Sequence, residues 1–263
     1  MMSQLTSFQQ QTTNNQQRTT VKETMMNSRM LTLFVVIAAL TLVGKASADT
    51  ITFDVVADTY IVANDANDNR NDDPDNELIV GYAGAIQRTF IRFDTSPISL
   101  PGNTIVTVTS SVLRVTNRNG ANGSSDPNVG VYDYAYDFGE TTSTWNNPAG
   151  DGSDVAGGTA GTLLTFINNL NDTQNVSHIF PSSAEFNSVV EAAITGDGTI
   201  NLLLKRTNDT GTSNDFVRFR DRDNATGFFQ LDVTYDLVAI PEPSTIALAG
   251  LGLAGVCLRR RRR

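Results

Sequence analysis

The thirteen residues DANDNRNDDPDNE hold Asp65, Asp68, Asp72, Asp73, Asp75 and Glu77. Hard cations such as Ca²⁺ are bound by several oxygen ligands of this kind. Asp65, Asn67 and Asn69 match the first three ligand positions of an EF-hand loop, but Arg70 stands where that loop needs glycine. Asn76 occupies the place of the bidentate glutamate, and Glu77 comes one residue late. The run is therefore not an EF-hand. Two readings stand: a solvated loop between the strand-like TYIV and ELIVG, or a structural Ca²⁺ site built from some of these carboxylates.

A second group is aromatic. In GVYDYAYDFGETTSTW, Tyr132, Tyr134, Tyr136 and Phe138 alternate with Val131, Asp133, Ala135 and Asp137, so a strand here presents four rings on one face. Rings bury large apolar areas, which makes core packing one explanation. A platform for the apolar C–H faces of sugar rings is the other, and Trp145, the chain's single tryptophan, suits either.

Much other chemistry is missing. His178 is the only histidine and lies in an apolar, strand-like run, while Cys257 is the only cysteine and lies in a greasy stretch near the end. This excludes disulfides within the body, the usual zinc sites, and Cys-His or Ser-His-Asp catalysis. GTAGTL and TGDGTI lack the lysine and the strand–helix context of a phosphate loop. A carboxylate pair of the glycosidase kind is the remaining catalytic option. From Asp49 to Ile240 there are ten Lys and Arg against twenty-six Asp and Glu, and nine of the ten cations are arginine. So acidic a body repels nucleic acid. Binding without catalysis is the expectation, with no cofactor beyond the possible Ca²⁺.

Between Asp49 and Ala239, short apolar runs separated by turn residues predict an all-β domain, a sandwich or barrel. Expected strands include ITFDVVA, TYIV, ELIVG, RTFIRFD, NTIVTVT, SVLRVT, NVGVYDYAY, LLTFIN, NVSHIF, INLLLKR, DFVRFR and FFQLDVTYD. One helix is expected over SSAEFNSVVEAAITG: Ser182 and Glu185 have capping-box spacing, and Phe186, Val189, Val190 and Ala193 form one stripe. No repeat and no Pro-rich linker interrupts residues 49–239, which read as one domain.

The ends differ from the body. Residues 1–48 read as a polar, Gln-rich extension followed by a secretory signal: Arg29, an apolar Leu31–Val43, and Ala46-Ser47-Ala48 as the cleavage site. Residues 240–263 hold Pro241, Glu242 and Pro243, then an apolar segment with Thr245, Ile246, Leu248, Leu251, Leu253, Val256 and Leu258. Arg259, Arg260, Arg261, Arg262 and Arg263 close the chain as a cytoplasmic anchor. Fourteen apolar-biased residues make a helix of about 21 Å, short of a ~30 Å hydrocarbon core, which suits a temporary transmembrane anchor.

The order of four pieces resembles the DNRLRE, or disaggregatase-related, carbohydrate-binding modules: ADTYI, RTFIRFDTSPISLPGNTIVTVTSSVLRVT, VYDYAYDFGETTSTWNNPAG and VRFRDRDNATGFFQLDVTY. Phe138 stands where that family has its first tryptophan, and FRDRD replaces its Ser-Arg-Glu run, with Arg222 or Arg220 for its arginine. The resemblance implies an antiparallel jelly-roll β-sandwich that binds polysaccharide. The tripartite ending resembles the PEP-CTERM sorting signal, also known as an ice-binding-protein C-terminal domain. That resemblance implies export, an exosortase-type processing enzyme as partner, transient membrane insertion, and a destination at the cell surface or in the extracellular matrix. A matrix component without specific ligand, and a polysaccharide hydrolase or lyase using carboxylates, are the alternatives.

Overall fold

The computed structural model describes residues 48–71, 77–98, 100, 104–118, 127–170, 173–209, 215–224, 226–240 and 252, all within the compact unit Ala46–Arg263. The sorting segment (save Ile240 and Gly252), Ala46, and the carboxylates Asp72, Asp73 and Asp75 lie outside the described residues. No described helix is long and apolar enough to cross a membrane.

Among the described residues from 48 to 240, ten strands and one helix follow in order: β1 (Ala48–Val62), β2 (Glu77–Tyr82), β3 (Ile86–Asp94), β4 (Thr104–Thr116), β5 (Val129–Asp133), β6 (Leu163–Ile167), β7 (Ser177–Phe180), α1 (Ala184–Thr195), β8 (Thr199–Arg206), β9 (Asp215–Arg220) and β10 (Gln230–Ala239). Every ladder is antiparallel. Hydrogen-bonded neighbours run β6-β5-β8-β3-β1-β10-β4-β7, with β2 on β3 and β9 on β2. The strand shared by both sheets is β1. Ala48 to Asp54 pair with β10, and from Val55 onward the strand pairs with β3, the register shifting between Val55 and Ala57. ITFDVVA and TYIV are thus one bulged strand, because a bulge bends the chain without ending its ladder. NTIVTVT and SVLRVT likewise merge into β4, whose ladder to β10 shifts register between Thr234 and Tyr235.

Between the sheets lies the main core, with Phe93, Leu113, Phe180, Phe186, Phe219, Phe229 and Leu231 all fully buried. Helix α1 closes it against β4, β6 and β8. The helix starts one residue later than the capping-box spacing suggests: Ser183, not Ser182, caps it, its Oγ accepting the Phe186 amide at 3.0 Å. Ser182 Oγ instead accepts the Ser111 amide at 3.1 Å and donates to Asn187. The buried stripe is Phe186, Val190, Ala193 and Ile194, with Val189 half-buried beside it. Where β2 meets β9 the backbones approach so closely that a Cβ on Gly81 would lie 2.4 Å from the Asp215 carbonyl oxygen; its φ of +131° also excludes other residues.

A second core lies on the other face of the β3-bearing sheet. Ala57, Ile61, Phe90 and Leu203 are buried there against Tyr134 and Phe138 of the 134–162 connection. That connection forms a third layer. It also explains why RTFIRFD lacks clean alternation: Phe90 faces the third layer while Ile91 and Phe93 face the main core.

Candidate functional site

Strand β3 projects Arg88, Phe90 and Arg92 from one face, the period-2 consequence of an extended chain. All three grip the 134–162 layer. Phe90 stacks on Tyr134 and Phe138, with centroids 4.8 and 5.6 Å apart. Arg92 bonds the Asp137 carboxylate and the Phe138 carbonyl, and lies 4.6 Å over the Phe138 ring. Arg88 donates through Nη1 to the carbonyls of Gly157 (2.5 Å) and Gly158 (3.1 Å) and through Nη2 to Asp209 (2.8 Å). Its guanidinium lies 5.1 Å from the centre of the Trp145 ring. Gly157, at φ +84°, lets the backbone lie flat on that ring, since a Cβ there would reach within 3.0 Å of it.

Asp209 also accepts from Lys205 at 3.2 Å, and the Lys205 ammonium sits 4.9 Å over the Tyr132 ring. Trp145, Arg88, Asp209, Lys205 and Tyr132 therefore form one chain of contacts on this face, with half-buried rings at both ends. Burial and the charge of Asp209 push the Tyr132 hydroxyl up, Arg88 partly offsetting them, so this phenol stays a neutral donor.

The strand carrying the tyrosines ends at Asp133, short of the NVGVYDYAY expected. Beyond it Tyr134 is 2% exposed and Phe138 likewise, so both belong to the second core. Tyr136 is half-buried, its ring 5.6 Å from that of Tyr134. Tyr134 donates to Asp154 at 2.9 Å. Burial works to raise Asp154, but bonds from the Thr159 hydroxyl and amide, Tyr134 and the Val155 amide outweigh it and hold the carboxylate below its ordinary range. That carboxylate pins the turn carrying Gly157 and Gly158.

At another edge of the layer, Asp58, Glu140 and Arg222 meet. Asp58 donates its amide to Glu140 Oε1 at 3.0 Å, and its carboxylate accepts the Arg222 amide at 2.9 Å. Arg222 reaches Glu140 Oε2 at 2.8 Å and the Val56 carbonyl. Asp58 is 4% exposed. Burial, with Asp221 and Glu140 adding to it, pushes its carboxyl up to about 7 against the lowering pull of the Arg222 amide and guanidinium. The three residues come from the ADTYI, DFGETTSTW and FRDRD pieces, so motifs far apart in the chain close on one clasp.

The acidic run behaves differently. Asp65 pairs with Arg70, and Glu77 is buried on β2 between Arg118 (3.3 Å) and Arg218 (3.4 Å). Asp68 folds back in a turn, its amide on the Asp65 carbonyl. Among the described residues no three acidic, His or Cys side chains are placed to hold a metal ion. The loop is nonetheless tied to the third layer: Asn69 donates to the carbonyls of Glu140 (3.0 Å) and Ser143 (2.7 Å), and Ala66 accepts the Asn146 amide. Sequence reasoning missed Arg88, Lys205 and Asp209 as members of the face. Alternation in RTFIRFD placed Arg88 beside Phe90, but nothing local pointed to its partners.

Residues 49–163 match the model of carbohydrate-binding module family 96, a carbohydrate-binding module as the resemblance implied. The match stops at β6, whereas β7 to β10 complete the same sheets. Residues 239–262 match the PEP-CTERM protein-sorting motif, which marks export, transient membrane anchoring and a cell-surface or extracellular destination. No curated protein matches the chain. Among solved structures, infectious bursal disease virus Gx strain aligns at TM-score 0.23 and 10% identity over 81% of this chain and 48% of that one. The chain thus spans about half the length of that protein. The K1 cleaved adhesin domain of Lys-gingipain from Porphyromonas gingivalis W83 aligns at 0.20 and 12% identity, over 74% and 99%. No argument follows from likeness this low. By the two family models, residues 49–163 are similar to a family 96 carbohydrate-binding module and residues 239–262 to a PEP-CTERM protein-sorting motif.

Proposed function

We propose that the exported protein binds polysaccharide without cleaving it, along the row from Trp145 to Tyr132. The observation that carries this reading is the row itself: two half-buried rings, each beside a cation, joined through Arg88, Asp209 and Lys205. Aromatic faces take the apolar side of a sugar ring, while the charged groups supply donors and an acceptor for its hydroxyls. The acidity of the body favours neutral glycans, or acidic ones bridged by Ca²⁺. The acidic loop is where such an ion would bind, and its contacts to Glu140, Ser143 and Asn146 would transmit the effect to Trp145. Catalysis by Asp58 and Glu140 is disfavoured because both carboxylates are engaged by Arg222 and the backbone. The test is retention of the purified chain on neutral and acidic polysaccharides, in Ca²⁺ and in EDTA, with product release assayed alongside. Selective retention without products supports the reading. Retention on none would leave a matrix component without a specific ligand.

A further inference from the structure

The sorting segment leaves the sandwich with almost no spacer. Ala239 is still paired with Thr104 in the β10–β4 ladder, and Pro241 opens the motif two residues later. Only residues 241–244 separate Ile240 from the apolar stretch that starts at Thr245. Four residues reach at most about 14 Å even when fully extended. While that stretch is inserted, the end of the sheet where β10 stops is held within this distance of the headgroups.

Three strands place residues at that end. Val238 pairs with Ile105 at the start of β4, and Asp236 pairs with Ala48 at the start of β1. Ile105 is 52% exposed and Ile240 47% exposed, two large aliphatic side chains that the sandwich leaves uncovered where the anchor departs. We infer that this end is a bilayer-contacting pole, with Ile105 and Ile240 as its apolar contact, seated on the lipid surface while the C-terminal segment is inserted. Among the described residues the acidic side chains there are Asp49 and Asp236, so the pole fits zwitterionic headgroups and is repelled by anionic ones. This holds whatever the ligand face binds.

The rest of β1 bounds how far away that face lies. From Ala48 the strand runs on to Ile61, which pairs with Arg88 of the candidate site. Thirteen residues at about 3.3 Å each give up to ~43 Å of strand between the lipid-side pole and Arg88. The bulge at Val56 and the change of partner strand there shorten this.

The test uses the full chain inserted into phosphatidylcholine nanodiscs that contain headgroup-spin-labelled lipid. Cys257 is the single cysteine and sits inside the apolar segment, so a fluorophore on it reports insertion. In the C257S background the fluorophore is then placed at I105C, at V155C on the third layer, and at I179C on β7. Residues 155 and 179 are 68% and 58% exposed, so their labels are as accessible as that at 105. The expected result is quenching at 105 several-fold above that at 155 and 179, weakened but not abolished when phosphatidylglycerol replaces half of the lipid, because the tether still holds this end near the surface. Quenching at 105 no greater than at 155, with Cys257 inserted, overturns the pole. A Cys257 label that stays in water overturns the premise of insertion and the inference with it.

Discussion

Replacing Asp58 with asparagine should flatten the pH dependence of the sandwich's stability. The folded carboxyl titrates near 7 against an ordinary value of 3.8. The folded state therefore holds this proton more tightly than the unfolded chain does. Asp58 stabilises the fold below about pH 4, and that contribution is lost as pH rises to about 7, remaining lost above. Three units of displacement correspond to on the order of 4 kcal/mol across the window, at 1.36 kcal/mol per unit. For a domain of nearly two hundred residues, each kcal/mol moves Tm by about 2–4 °C. The asparagine side chain would keep an oxygen for the Arg222 amide and carry no charge beside Glu140 and Asp221. Thermal melts of the parent and D58N, from pH 4 to pH 8, should diverge steadily, with the variant higher by up to about 16 °C at pH 8. Other titrating groups cancel in the difference. Parallel curves would show that Asp58 is not the group whose ionisation burdens the clasp, and the argument from burial would fail.

Trp145→Ala should lower polysaccharide retention at least tenfold while costing about 1–3 kcal/mol of stability, read as a column shift against a modest fall in Tm. Arg114→Ala, on the other sheet, is the control that should leave retention unchanged. Arg88→Lys keeps the charge but loses the fork that holds two carbonyls and a carboxylate, so hydrogen exchange at Gly157–Thr159 should quicken about tenfold. Gly81→Ala should prevent accumulation of folded protein, judged by soluble yield and far-UV circular dichroism. Gly84→Ala, also at positive φ but with open space around it, should cost only about 1–2 kcal/mol.

The sequence made most of the strands legible because one face of each meets the main core, and a single buried face leaves a period-2 trace, as in SVLRVT. It misled where that condition failed. Bulges at Val56 and in β4 keep a ladder running through what reads as a break. Ser182 and Ser183 can both cap a helix, and the choice was made by the Ser111 amide, which claims Ser182. The candidate site was only half visible. Its rings stand out in the chain, but the clasp joins residues 82 and 164 positions apart, and no local pattern encodes such pairing. Asp209 follows Lys205 by a mere four positions, yet its larger role, joining Arg88 to Lys205, appears only once β3 lies beside β8.

The position of β10 has a mechanical meaning. This strand is the one that leads into the anchor, and it is flanked on both sides, by seven residue pairs with β1 and ten with β4. With the end anchored and the proposed glycan captured, tension would run along the strand, so both ladders would be loaded in shear. Bonds arranged this way share the load together, whereas a strand peeled from an edge gives them up one at a time. The tether is thus gripped by the middle of the sheet, and the sandwich is built to be pulled by its own tail.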